Sequence, residues 1–304
     1  MLDDKIFTFN SYMKQKFGAR VARIALHTGF NCPWNRCVFC RRDSFSPDIT
    51  ADMSRPGWQE TLAKSMDFLK KRYKNEFFAA YFQSGTATFG DEAALGGFFR
   101  QAGEIPGVVA EIFSTRPDYL TQKEIGMILR SVPESIDEIW IELGLQSTND
   151  KSLKLMNRGH DAASYFRAVE NVEKYGRSKI KIAPHIILGI PGETIDDMLK
   201  TVRESTQSEV VRGIKIHHLQ IHRGTELEKI YAEAPFKLLS VDEYIEIISK
   251  IISLTPQEIV FFRLFTTTPA EYLVAPVWQL NTQEALAKLE NYLEKNNIHQ
   301  SSAL

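Results

Sequence analysis

The chain alternates short apolar segments with amphipathic ones six times in succession, and this repeat most constrains its fold. The apolar segments are β-rich and almost continuously hydrophobic, which is typical of parallel strands buried on both faces. Each is followed by residues with helical spacing, as in successive βα units. We therefore predict an α/β fold, a partial parallel (β/α)6 barrel with helical additions at both ends. The six predicted strands are residues 21–28, 77–86, 108–118, 138–147, 181–193 and 213–225.

The residues after the sixth unit predict two helices around a short strand. Ser240 and Glu243 form a capping-box pattern before an apolar helix, and the segment "EIVFFRLF" (258–265) has the composition of a strand. The chain has no Gly/Ser linker and no tract of low complexity, which favours one domain. The predicted domain is 1–304, with a core of about 18–235 and a C-terminal extension of about 236–304.

Polar, small and charged residues follow the predicted strands, at the end where parallel barrels carry their chemistry. We therefore expect a functional site at this rim. Three histidines near the sixth strand are candidates for substrate contact, although alternate residues of one strand point to opposite faces. The rim segments are 32–40, 83–86, 114–116, 142–146, 189–193 and 219–223, and the histidines are His217, His218 and His222.

All three cysteines of the chain lie within nine positions, at Cys32, Cys37 and Cys40. An odd number of thiols in a chain of 304 residues disfavours a disulfide framework. A structural zinc site would need a fourth ligand, for which His27 is the nearest candidate. A 4Fe–4S cluster with three cysteines keeps one iron open for chemistry. We favour the cluster, and zinc or unrelated thiols are the alternatives.

Charge and hydropathy exclude some classes of function. The formal net charge of −1 provides no general attraction for nucleic acid, although a basic patch on one face is compatible with it. The N-terminal residues lack the apolar core of a signal peptide, and no apolar run is long enough to span a membrane. We expect a cytoplasmic protein with no membrane partner.

Several motifs occur in the order expected for the radical S-adenosylmethionine (radical SAM) superfamily, which the chain resembles over about residues 18–270. Within that superfamily it is most similar to an uncharacterised bacterial family related to the radical SAM domain of the Elongator catalytic subunit. Four residues separate the first two cysteines instead of the commoner three, and Elongator-type relatives share this longer loop. The motifs are "CPWNRCVFC", "YFQSGTATF", "STRPD", "IELGLQS", "NRGHD", "HIILGIPGET" and "GIKIHHLQI".

The resemblance implies a cofactor pair and a role for each matching residue. The three cysteines would bind three irons of a 4Fe–4S cluster, and SAM would bind the fourth iron. Glu142 would contact the SAM ribose or amine, and the alternative is a structural ion pair with Arg158 as the candidate partner. Matching positions for other SAM contacts are Phe39, Ser84, Gly85, Thr86, Arg158, His160, Ile187, Gly189 and Leu219.

The resemblance also implies reductive cleavage of SAM to methionine and a 5′-deoxyadenosyl radical. A one-electron reductant such as flavodoxin or ferredoxin would be a partner, and the enzyme would be oxygen-sensitive. The three cysteines leave no thiol for an auxiliary cluster or a methyl carrier. The substrate is unidentified. tRNA is one alternative substrate, and a non-enzymatic zinc or iron–sulfur module is the alternative of another class.

Overall fold

The computed structural model describes residues 2–41, 50–74, 77–83, 85–266 and 268–304, so Ser84 lies outside the described residues. Ten strands and ten α-helices occur in these ranges. The strands are β1 (Val21–His27), β2 (Ala51–Asp52), β3 (Phe77–Phe82), β4 (Val108–Thr115), β5 (Glu138–Gln146), β6 (Ile180–Leu188), β7 (Gly213–His218), β8 (Ile221–His222), β9 (Val260–Arg263) and β10 (Leu273–Ala275). The helices are α1 (Phe9–Phe17), α2 (Trp58–Tyr73), α3 (Glu92–Gly103), α4 (Gln122–Ser131), α5 (Asp150–Leu155), α6 (Ala162–Tyr175), α7 (Ile195–Ser205), α8 (Glu226–Glu233), α9 (Val241–Leu254) and α10 (Thr282–Lys295).

Eight strands form one parallel sheet in the order β2-β1-β3-β4-β5-β6-β7-β9. The six predicted strands are neighbours within it, so the predicted α/β class is confirmed. All six end before the predicted residue, because the predicted segments included the loops that follow the strands. The difference is largest for the last two, where left-handed Gly189 follows Leu188 and residues after His218 turn into the separate β8–β10 pair. The segment predicted as a short strand becomes β9, at the edge of the sheet.

The sheet is strongly curved. The Lys215 ammonium on β7 donates a hydrogen bond of 2.9 Å to the Tyr81 hydroxyl on β3, four strands away. Strands four apart in a flat sheet would be separated by about 19 Å. Curvature therefore brings the inner-face side chains of distant strands together, as a partial barrel requires.

The two faces of the sheet have separate cores. The outer face packs against α2, α3, α4 and α6 through aliphatic and aromatic residues. The inner face is filled at its N-terminal end by Phe9 and Met13 of α1, which pack with Trp140 and Phe262. Burial of these large apolar side chains stabilises the curved sheet and closes one end of it. The C-terminal end of the inner face is left for polar side chains.

Helix start signals in the sequence match the structure at two sites. Ser240 caps α9 with the predicted box to Glu243, and Thr194 caps α7. α2 begins at Trp58, two residues after Pro56. No helix in the described ranges is long and apolar enough to cross a bilayer.

Candidate active site at the cysteine loop

The cysteine loop, residues 28–41, follows β1 and is held against the segment after α5. The Val38 N–H donates to the Met156 carbonyl at 3.2 Å, and the Trp34 indole N–H donates to the Asn157 carbonyl at 2.7 Å. These bonds fix the loop through its backbone and through one aromatic ring. Met156 and the first residue of the motif "NRGHD" therefore position the cysteine loop.

Gly159 in that motif is required by the contact with Trp34. Its φ of +70° lies in the left-handed region, and a Cβ there would meet the Trp34 ring at 2.4 Å. Only glycine permits both the backbone angle and this close approach. The loop geometry thus depends on a residue far from it in sequence.

The three cysteines line a cavity of about 180 Å³ at the C-terminal end of the inner face. No group of three His, Cys, Asp or Glu in the described part of the chain is arranged to hold a single metal ion. Phe39, Gly85, Glu142 and Arg158 line the same cavity. A cavity lined by three cysteines and by these residues fits an iron–sulfur cluster with a ligand beside it.

Two of the thiols have hydrogen-bond donors or cations beside them. Burial opposes ionisation of Cys32, but the Thr86 hydroxyl, loop N–H groups including that of Asn35, and the nearby Arg116 guanidinium together lower the pKa of its thiol. The Arg158 guanidinium donates to the Cys37 sulfur at 3.2 Å and to the Gly144 carbonyl at 2.7 Å. The thiolate is the form of cysteine that binds metal, so the lowered pKa of Cys32 favours metal binding by this loop.

Glu142 lies on the opposite wall, on β5, and is 2% exposed. Its Oε2 accepts hydrogen bonds from the Lys215 ammonium at 2.7 Å, the Ser114 hydroxyl at 2.9 Å and the Tyr81 hydroxyl. Burial alone would raise the pKa of Glu142, but the Lys215 and Arg23 charges and these hydrogen bonds lower it to about 2. The other oxygen, Oε1, is buried without a hydrogen-bond partner among the described residues. Glu142 is therefore ionised, with one acceptor oxygen available to a ligand.

The ion pair of Glu142 differs from the pair suggested by the sequence. Lys215 is the partner, and Arg158 instead contacts Cys37 and a backbone carbonyl. The suggestion of Arg158 as partner was wrong because proximity of these side chains is set by sheet curvature and not by motif order.

The remaining predicted SAM contacts lie around the cavity and not on its wall. Ile187 and Leu219 belong to an apolar cluster that packs Val38 and Phe39 from below the cysteine loop. The backbone N–H of Gly189 donates to the Met198 sulfur at 3.2 Å. These positions support the loop, and their roles toward SAM remain predictions.

His160 lies in a neighbouring hollow of about 550 Å³ with Trp34 and Asp118, and not in the cysteine cavity. Burial, and then the Arg158 charge, lower the pKa of His160 to about 4. Its imidazole is therefore neutral at pH 7, and its predicted contact with SAM is not supported by its position.

The rim histidines divide as strand alternation requires. His217 lines the cysteine cavity, whereas His218 stacks on Trp278 with ring centroids 3.9 Å apart. His222 lies 3.3 Å from the Gln220 side chain. Only His217 of the three faces the cavity.

Four cavity residues escaped the sequence analysis, namely Tyr81, His185, Lys215 and Arg263. Lys215 carried a usable signal, since a single charge inside the apolar run "GIKIHH" resembles Glu142 in its own strand. Tyr81 carried none, because a tyrosine in an apolar strand is usually a core residue.

Comparison with known proteins gives family matches over most of the chain. The model described as the radical SAM superfamily matches residues 26–204, and the radical SAM C-terminal domain model matches 211–295. Protein YhcC of Escherichia coli strain K12 is 30% identical over 304 residues, covering 97% of this chain and 94% of that protein. A tRNA uridine(34) acetyltransferase of Methanocaldococcus infernus is 30% identical over 192 residues, which are 62% of this chain and 34% of that protein.

A solved structure shares the fold. The archaeal Elp3 of Methanocaldococcus infernus, with an N-terminal deletion, superimposes with a TM-score of 0.68 at 21% identity, covering 92% of this chain and 64% of that one. The resemblance predicted from the motifs, including the relation to Elongator, is confirmed. Since the family match includes the cysteine loop and β1 to α7, the non-enzymatic metal module is set aside. The chain belongs to the radical SAM superfamily and is an enzyme of that class.

Proposed function

We propose that Cys32, Cys37 and Cys40 hold a 4Fe–4S cluster and that SAM binds beside it in the cysteine cavity. When bound, the cluster supplies one electron to SAM, giving methionine and a 5′-deoxyadenosyl radical that acts on an unidentified substrate. The observation that carries the proposal is the cavity itself, with three cysteines on one wall and the unpartnered Glu142 Oε1 on the other.

The chain's own residues bind and orient these groups. Arg158 would stabilise the Cys37 thiolate, since hydrogen bonds from a cation to a charged acceptor are stronger than neutral ones. Glu142 would accept a hydrogen bond from the SAM ribose or amine through Oε1. Gly85, with φ of +74° and a Cβ position 3.4 Å from the Cys32 N, lets the β3 loop approach the cysteine loop closely.

Cys40 is exposed, whereas Cys32 and Cys37 are half-buried. The cluster would therefore be closest to solvent at Cys40, and a flavodoxin or ferredoxin would deliver its electron there. The same exposure would make the cluster oxygen-sensitive.

Anaerobic reconstitution tests the proposal. The protein should become brown, bind about four irons per chain and form 5′-deoxyadenosine from SAM under reduction. Cys32→Ala, Cys37→Ala and Cys40→Ala should each lose colour and SAM cleavage. The exposed Lys250→Met variant is the matched control and should keep both. A colourless wild-type protein with one tightly bound zinc would contradict the proposal.

A tRNA substrate is the second candidate, favoured by the acetyltransferase relative whose name specifies tRNA uridine(34). Two rim arginines offer it little charge, because Arg116 and Arg158 are 3% and 6% exposed and Arg116 is bound bidentately by Asp118, whereas Arg36 and Arg223 are exposed. Binding to bulk tRNA at ~50 and ~200 mM salt decides the matter. True phosphate contacts must weaken steeply over that range, and salt-independent or absent binding would exclude tRNA.

A further inference from the structure

Arg263 differs from the other cations that line the cysteine cavity. Arg116 is bound by Asp118, Lys215 by Glu142, and Arg158 contacts Cys37. Arg263 has no hydrogen-bond or ion-pair partner within the described ranges, although it is half-buried. A shielded cation without a counter-charge is costly unless something else supplies the charge.

The strand register places Arg263 in a row with two other polar side chains. Lys215 on β7 is opposite His185 on β6 and opposite Arg263 on β9. Directly opposed like charges on neighbouring strands are destabilising. Glu142 pairs with Lys215, and Arg23, whose charge also acts on Glu142, adds a further cation, so this wall keeps more positive than negative charge.

His185 and His217 add hydrogen-bonding groups to the same wall. Their ring centroids are 4.1 Å apart, and the Nε2 atom of each is buried without a partner among the described residues. Burial, and then the neighbouring Lys215 charge for His185 and the neighbouring His185 for His217, lower the pKa of both imidazoles well below the usual range. Both rings are neutral at pH 7, so each retains one N–H donor.

We propose that Arg263, His185 and His217 form a subsite for an oxyanion group of the substrate, a carboxylate or a phosphate. One unneutralised guanidinium and two neutral imidazoles are a complementary set for such a group. Arg158 lies beside Cys37, whereas Arg263 lies on the last strand of the sheet, and we assign the substrate anion to Arg263. The inference rests on the proposed function, because it assumes that SAM occupies the part of the cavity beside the cysteines.

Arg263 also lines a second hollow, of about 540 Å³, at the gap between β1 and β9. Arg20, Arg23 and Tyr73 lie along that hollow. Arg263 therefore lines both spaces, the cysteine cavity and this hollow.

Anion binding to anaerobically reconstituted protein with saturating SAM tests the subsite. Acetate and inorganic phosphate are titrated separately, and binding is read from the thermal midpoint and from the ¹⁵N resonances of the histidine rings. Arg263→Gln should weaken the tighter anion about tenfold or more, since a charge-assisted bond is lost. Arg263→Lys should retain part of the binding, His217→Phe should lose about threefold, and the distant exposed Arg130→Gln should match wild type.

The two anions identify the source of the oxyanion. Tighter acetate binding indicates a carboxylate on the substrate, and tighter phosphate binding indicates a phosphate. Equal affinity in wild type and Arg263→Gln, binding of neither anion, or anion binding that SAM abolishes would each overturn the subsite. Failure of the proposed function has a separate signature, because it would appear as missing iron or missing SAM cleavage in wild type.

Discussion

Two buried glutamates on adjacent strands have opposite surroundings. Glu142 faces inward from β5 and is held by Lys215, Ser114 and Tyr81. Glu111 faces outward from β4 against Gly103 of α3, and neither of its carboxyl oxygens has a partner among the described residues. Burial raises the pKa of Glu111 well above its usual value, whereas that of Glu142 is lowered to about 2.

The difference separates the functions of the two faces. The inner face pairs Glu142 with a cation and arranges its charged side chains toward a cavity, as expected where a ligand is bound. The outer face is an apolar packing surface, in which a carboxyl group is tolerated only in its neutral form. A buried charge therefore indicates a site only when its partners are also present.

Removal of Lys215 should have the largest effect. Lys215→Met leaves Glu142 buried and unpaired, which should lower the free energy of unfolding by about 3 to 5 kcal/mol. Urea denaturation of the purified protein measures the change. Lys250→Met breaks an exposed pair with Glu246 and should cost no more than about 0.5 kcal/mol. A loss below about 1 kcal/mol for Lys215→Met would mean that Glu142 does not depend on this partner.

Replacement of Glu111 should raise the free energy of unfolding, by an amount that depends on pH. A folded-state pKa above the unfolded value gives stability that is present below about pH 4.3 and is lost at about 1.4 kcal/mol per pH unit toward the folded pKa. Glu111→Met removes that loss, so its gain in stability should grow from pH 5 to pH 8. Denaturation midpoints at several pH values measure it, with the exposed Glu104→Gln as a control of unchanged slope. A gain that is constant with pH would refute the neutral carboxyl.

The double variant Glu142→Gln/Lys215→Met should have the smallest effect on stability and still weaken SAM. The buried ion pair is removed as a unit, so most of the stability lost in Lys215→Met should return. SAM affinity should fall about tenfold, because the charge-assisted acceptor is lost while the cysteines are intact. Equilibrium binding of SAM to the reconstituted variant measures this. Unchanged SAM affinity would assign Glu142 to a structural role only.

The local parts of this account could be predicted from the sequence, and the long-range parts could not. The apolar runs predicted the six neighbouring strands, and the spacing of Cys32, Cys37 and Cys40 predicted their grouping at the rim. The partner of Glu142 could not be predicted, because Lys215 lies two strands away and reaches it only through the curvature of the sheet. The place of Arg263 in the cavity could not be predicted either, because helices separate β9 from β7 in the chain although the two strands are neighbours in the sheet.

Electron paramagnetic resonance of the reduced, reconstituted protein tests the central claim most directly. The account predicts a cluster signal that changes shape when SAM is added, because SAM binds the iron that no cysteine holds. Cys37→Ala should lack the signal, and Lys250→Met should respond to SAM as wild type does. A cluster signal that SAM leaves unaltered would contradict the account, since the cysteine cavity would then hold a cluster without its proposed ligand.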